Sequence, residues 1–263
     1  MSKALFDLDL RARRRDRAFR GGAELFLLQR AFDDLLDRVS LVKRSFGSAL
    51  LIGCPDPRWV EQLGEIAGPV DVLEPGALFA EAAGVAPRIE ESTSLPAAAF
   101  DLAIAVGTLD TVNDLPGALR RVRDALRPDG LLLGSMAGGD TMPRLRSAMR
   151  AADAFEGAAA PHVHPRIEPS ALTALLAAAG FAMPVIDVDR VAVAYPSLGK
   201  LVADLRAMAA TNVLTERPRR ALGRGAWLAA QADFASAAVD GRTVETFELL
   251  NFAGWTASVP RSS

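Results

Sequence analysis

The sequence predicts a doubly wound α/β fold: a mainly parallel, seven-stranded sheet with helices on both faces and helical insertions toward the C-terminus. Short apolar runs that suit buried parallel strands alternate with helical stretches at least four times. The connections are short, so right-handed crossovers put the helices on the two faces of one sheet. The 263 residues are 50% hydrophobic and 24% charged, enough apolar material for one large domain and too little charge for a disordered chain.

The elements follow in order. From 24 to 46, Leu25, Leu28, Phe32, Leu35, Leu36, Val39 and Val42 recur at steps of three and four among aspartates, the pattern of an amphipathic helix. Ala49-Leu50-Leu51-Ile52, stopped by Gly53, reads as the first strand. A helix over 57–66 leads to a second strand at 70–73, and a short helix over 76–83 to a weak third strand at 88–90. Strands at 100–106 and 131–136 flank a helix over 115–126 that ends in the turn Arg127-Pro128-Asp129-Gly130. Beyond Met136 the rhythm changes. Helices over 143–154 and 170–179 precede a long strand at 185–195, and helices over 197–209 and 219–239 separate it from a last strand near 245–255. The chain thus divides into an N-terminal helical segment (1–46), a ligand-binding type core (47–137) and a remainder carrying a lid-like helical insertion (138–263).

Composition narrows function. Thirty basic against 32 acidic residues leave a formal charge of −2, so no global field draws nucleic acid or an anionic membrane. One cysteine, Cys54, excludes a disulfide framework and fits a reducing, cytoplasmic compartment. No apolar run reaches bilayer-spanning length, so no transmembrane segment is expected. Arginine outnumbers lysine 27 to 3, which points to a GC-rich bacterial source. The first 20 residues hold Lys3 and six arginines, among them Arg11 and Arg15, with three aspartates between; they read as a solvated basic arm or as a contact for an acidic partner or lipid surface.

Ligands of doubly wound sheets sit at the carboxyl ends of the strands. There the chain has Gly53-Cys54-Pro55-Asp56-Pro57, then Phe100-Asp101-Leu102-Ala103-Ile104-Ala105, Val112-Asn113-Asp114-Leu115-Pro116-Gly117 and Leu126-Arg127-Pro128-Asp129-Gly130. These motifs resemble class I S-adenosylmethionine-dependent methyltransferases. Gly138-Gly139-Asp140-Thr141, Pro161-His162-Val163, Tyr195-Pro196, Asn212 and Gly254-Trp255 are similar to the methyltransferase-fold assembly factors of respiratory complex I, a family to which protein arginine hydroxylation is attributed. The resemblance implies S-adenosylmethionine as cofactor, held by Gly53, Cys54, Glu74 at the ribose hydroxyls, Glu91 at the adenine amine and Asp110. It also implies a substrate side at Asp140, His162 and Tyr195, and a protein partner such as a peripheral-arm subunit of complex I.

The departures predict weak or lost cofactor binding. Leu51 stands where the family has a carboxylate, and Pro55 and Pro57 replace glycines. A proline fixes φ near −65° and has no N–H to offer a ligand carboxylate. Pro57 is tolerable at a helix start, whereas Pro55 has no such excuse. Asp110 and Thr111 replace a His-Trp pair. Each candidate also has a plainer reading: Glu74 and Glu91 as solvated loop carboxylates, Asp140 or Thr141 as a helix N-cap, Tyr195 as a core residue ending a strand, Cys54 as a small packed side chain. His162, His164 and Glu168 have the composition of a facial metal triad but lie in one proline-broken loop, so no metal is expected. No residue is assigned catalysis. The function expected is that of a methyltransferase-like protein acting on a protein side chain, by arginine hydroxylation or methyl transfer, or else a pseudo-methyltransferase that binds or assembles without the cofactor.

Overall fold

The computed structural model describes residues 4–258, so Lys3 lies outside the described residues. Its sheet has six strands: β1 (Ala49–Ile52), β2 (Val70–Leu73), β3 (Phe100–Val106), β4 (Leu126–Ala137), β5 (Ala182–Tyr195) and β6 (Thr243–Trp255), in the order β2-β1-β3-β4-β6-β5. β1 to β4 are parallel, and β6 runs antiparallel between β4 and β5.

Strand alternation builds the two faces of the core. Leu50 and Ile52 point to one face, with Ala103, Leu132 and the helices α5 (Leu115–Ala125) and α7 (Pro169–Ala178). Ala49 and Leu51 point to the other, against α2 (Phe26–Leu41) and α3 (Arg58–Ala67), where Phe32 stacks on Trp59 at 4.2 Å. A third cluster joins the inserted helices α6 (Pro143–Glu156), α8 (Leu198–Ala207) and α9 (Arg224–Ser236) around Tyr195 and Phe247. The short helix α4 (Ala77–Ala82) follows β2.

Two expectations are corrected. Residues 88–90 form no strand: Arg88 N–H donates to Glu74 O, but a turn closes at once, with the N–H groups of Ser92 and Thr93 donating to Ile89 O. Three residues that turn immediately cannot continue a ladder, so the sheet stops at β2. The first residues are no solvated arm either. Leu8–Arg20 form a helix, α1, capped by the Asp7 carboxylate at Leu10 N–H, and its buried stripe is Arg11, Arg15 and Ala18.

Candidate functional site

The carboxyl ends of β1, β2 and β3 converge under α1. After β1 the chain turns sharply at Gly53, whose φ is +85° and where a Cβ would lie 2.3 Å from Val106 O. Glycine is therefore required by the approach of β1 to β3, whatever the ligand. Pro55 and Asp56 are buried behind it, and Asp56 is held below the usual carboxylate range by the Arg58 guanidinium. Pro57 precedes α3 with helical angles, φ −60° and ψ −23°.

Glu74, at the end of β2, is 0% exposed. It receives four hydrogen bonds: Arg15 Nε at 2.5 Å and Gly76 N–H at 2.8 Å on Oε1, Arg15 Nη2 at 2.5 Å and Cys54 N–H at 2.8 Å on Oε2. A carboxylate offers about four lone-pair sites, so Glu74 is saturated. Arg15 is itself 5% exposed and lies over the Phe79 ring at 5.4 Å. One helical turn earlier, Arg11 Nη2 meets Glu90 Oε2 at 2.5 Å, both side chains buried. Asp16 completes the seal by accepting from Leu78 N–H at the start of α4. Sequence reasoning missed Arg11, Arg15 and Glu90. Their only local signal is the spacing of four between two arginines on one helix face.

The other candidates separate. The Cys54 thiol is wholly buried, and burial with the Glu74 charge pushes it up to about 12, so it is no nucleophile at neutral pH. Glu91 accepts from the N–H groups of Asn113 and Asp114, tying that loop instead of facing a pocket. Asp110 pairs with Arg166 and lines a cavity of about 110 Å³ above the ends of β3 and β4, together with Arg11, Thr108, Ser135 and Phe247. Arg11 Nε, Thr108 Oγ1 and Ser135 Oγ have no partner there, which leaves polar atoms for a small ligand.

The substrate-side residues do not gather. Asp140 has a side chain 75% exposed, pairs with Arg190 and lies outside the cavity. Neither it nor Thr141 caps α6. Its N-cap is Met142, at φ +59°, and the N–H groups of Arg144 and Leu145 are taken by Glu245, whose carboxyl burial raises. Thr141 instead exchanges two hydrogen bonds with the Glu248 backbone. Tyr195 is core at the end of β5, its hydroxyl pushed up by burial and by Asp204. His162 pairs with Asp153 at 2.8 Å and faces an outer hollow. His164, by contrast, lines the inner cavity; its Nε2 accepts from Val213 N–H at 2.8 Å, and burial with the Arg166 charge brings it down to about 4. No group of three or more His, Cys, Asp or Glu among the described residues is placed to hold a metal ion.

Residues 25–184 match the family described as a methyltransferase domain. The chain belongs to that methyltransferase-domain family, within the class I S-adenosylmethionine-dependent superfamily. It is 32% identical to the mitochondrial arginine-hydroxylase NDUFAF5 of Danio rerio over 88% of its own length and 75% of that protein's. The methyltransferase fold is shared with the YcgJ protein of Bacillus subtilis (TM-score 0.57, 14% identity, covering 86% and 99% of the two chains). It is also shared with a Haemonchus contortus phosphoethanolamine N-methyltransferase 2 solved with S-adenosylhomocysteine (TM-score 0.53, 13% identity, 86% and 52%). At the strand ends of this methyltransferase-domain chain, Arg15 and two backbone N–H groups already take the acceptor sites of Glu74, and Pro55 has no N–H to offer.

Proposed function

We propose that the chain is a methyltransferase-fold binding or assembly protein whose cofactor site is closed by its own α1. The observation that carries this is the saturation of Glu74 by Arg15 and two backbone N–H groups. Breaking such a buried pair by removing one partner costs about 3 to 5 kcal/mol, which offsets most of the about 3 to 6 kcal/mol that two ribose hydroxyls would return in hydrogen bonds to a charged group. The partner is a protein, and the resemblance to complex I assembly factors makes a peripheral-arm subunit the candidate. A single buried cysteine and the arginine-rich composition support work in a bacterial cytoplasm; among the described residues no helix is long and apolar enough to cross a membrane.

A second reading, modification of a protein side chain by arginine hydroxylation or methyl transfer, is favoured by the unpartnered polar atoms of the strand-end cavity and by the relative's activity. Capture of a peripheral-arm subunit by the purified protein separates the two. Capture that is unchanged by saturating S-adenosylmethionine, and leaves the subunit's mass unaltered, supports the assembly reading. Capture that needs the cofactor, or a mass gain of one oxygen or one methylene on the subunit, supports the second and overturns the first.

A further inference from the structure

A second hollow, of about 340 Å³, opens where α1, α8 and the 208–223 loop meet. Six arginines line it (Arg14, Arg17, Arg166, Arg206, Arg217 and Arg220) and no aspartate or glutamate does. Arg166 and Arg217 are matched by Asp110 and Asp7. Arg14, Arg17, Arg206 and Arg220 make no ion pair among the described residues. Arg14 and Arg17 share only the neutral Thr211 hydroxyl, and Arg14 Nε is buried without a partner. Burial first, and then the charges of Arg17, Arg217 and Arg206, bring Arg14 down to about 10 against the opposing pull of Asp7. The lining also includes the apolar side chains of Leu145, Met149, Val202, Leu222 and Trp227.

We propose that this hollow binds an anionic amphiphile, with a phosphate or carboxylate head among Arg14, Arg17, Arg206 and Arg220 and an apolar chain along Met149, Leu222 and Trp227. Guanidinium groups from separate segments suit an oxyanion presenting several acceptors, and the volume is that of a small-molecule site. Met142, His164, Arg166, Leu205 and Ala210 line both this hollow and the strand-end cavity, so a chain passing them leads inward. None of this depends on S-adenosylmethionine binding.

The test uses octyl phosphate titrated into the full chain by calorimetry, with tryptophan fluorescence as a second readout because Trp227 lies in the wall. Saturable binding is expected, weaker at high salt, and roughly tenfold weaker for octanol and for a folded Arg206→Gln/Arg220→Gln variant, whose two sites are exposed. Sedimentation with phosphatidylglycerol vesicles distinguishes the source: vesicle binding lost in the double variant assigns a lipid head, and binding of octyl phosphate alone assigns a soluble ligand. Absence of binding to both probes, equal affinity for octanol, or unchanged affinity in the double variant would overturn the proposal.

Discussion

At the strand ends, single residues named as candidate ligand contacts are engaged by partners within the protein: Glu74 by Arg15, the Cys54 N–H by Glu74, and Asp110 by Arg166. Glu74 and Cys54 could be placed at the strand ends from the sequence because each follows a recognisable apolar strand. Their partners were not, since Arg15 lies 59 residues from Glu74 and a polar residue on a buried helix face reads as solvated until its counter-ion is known. His164 carries a pH prediction. Its folded value of about 4 lies below the ordinary 6.5, so the neutral ring contributes stability that is fully present above pH 6.5 and is lost as pH falls through 4. The loss should approach about 3 kcal/mol, and denaturant melts between pH 7 and 4 should show it reduced in His164→Gln, whose amide oxygen can still accept from Val213 N–H. Equal slopes in both proteins would remove His164 from the account. Leu51 carries another prediction. A carboxylate there would restore the family pattern, but the side chain is wholly buried in the α2–α3 face, so Leu51→Asp should lose several kcal/mol or fail to fold. A variant that melts normally would show this face to be wetter than described.

Among the elements, β1 to β3 and helices α3 to α5 were legible within one residue at each end, because apolar runs and steps of three and four report burial directly, whereas β4 begins at Leu126 and takes in the residues 127–130 expected as a turn, and α2 stops at Leu41. The weak strand at 88–90 was overread: apolar Ile89 suggested it, while Arg88 and Glu90 are drawn to Asp71 and Arg11. α1 was the main omission, a helix whose contact with the sheet is ionic rather than apolar. It should therefore be held by a few pairs. Arg15→Met should lower stability by roughly 3 kcal/mol or more through an uncompensated Glu74, whereas Arg13→Ala, exposed on the same helix, should stay within about 0.5 kcal/mol. Chemical melts of the two variants decide this; similar losses would mean that α1 is held by its other contacts.

At the scale of the whole molecule, the fold and the family were readable from strand-end motifs, but the state of the site was not, because it depends on where the N-terminal helix folds back. Leu51 and Pro55 depart from the family pattern, and the fold adds a feature that no local motif contains: α1 packs on α4, and its Arg15 takes Glu74, the carboxylate that the resemblance assigns to a ribose. Two charge-assisted hydrogen bonds withheld from the ligand move micromolar affinity beyond about 100 μM. Calorimetric titration of S-adenosylmethionine into the wild-type protein measures this directly. The account predicts no saturation below about 100 μM; a dissociation constant in the low micromolar range would contradict it and return Glu74 to the cofactor.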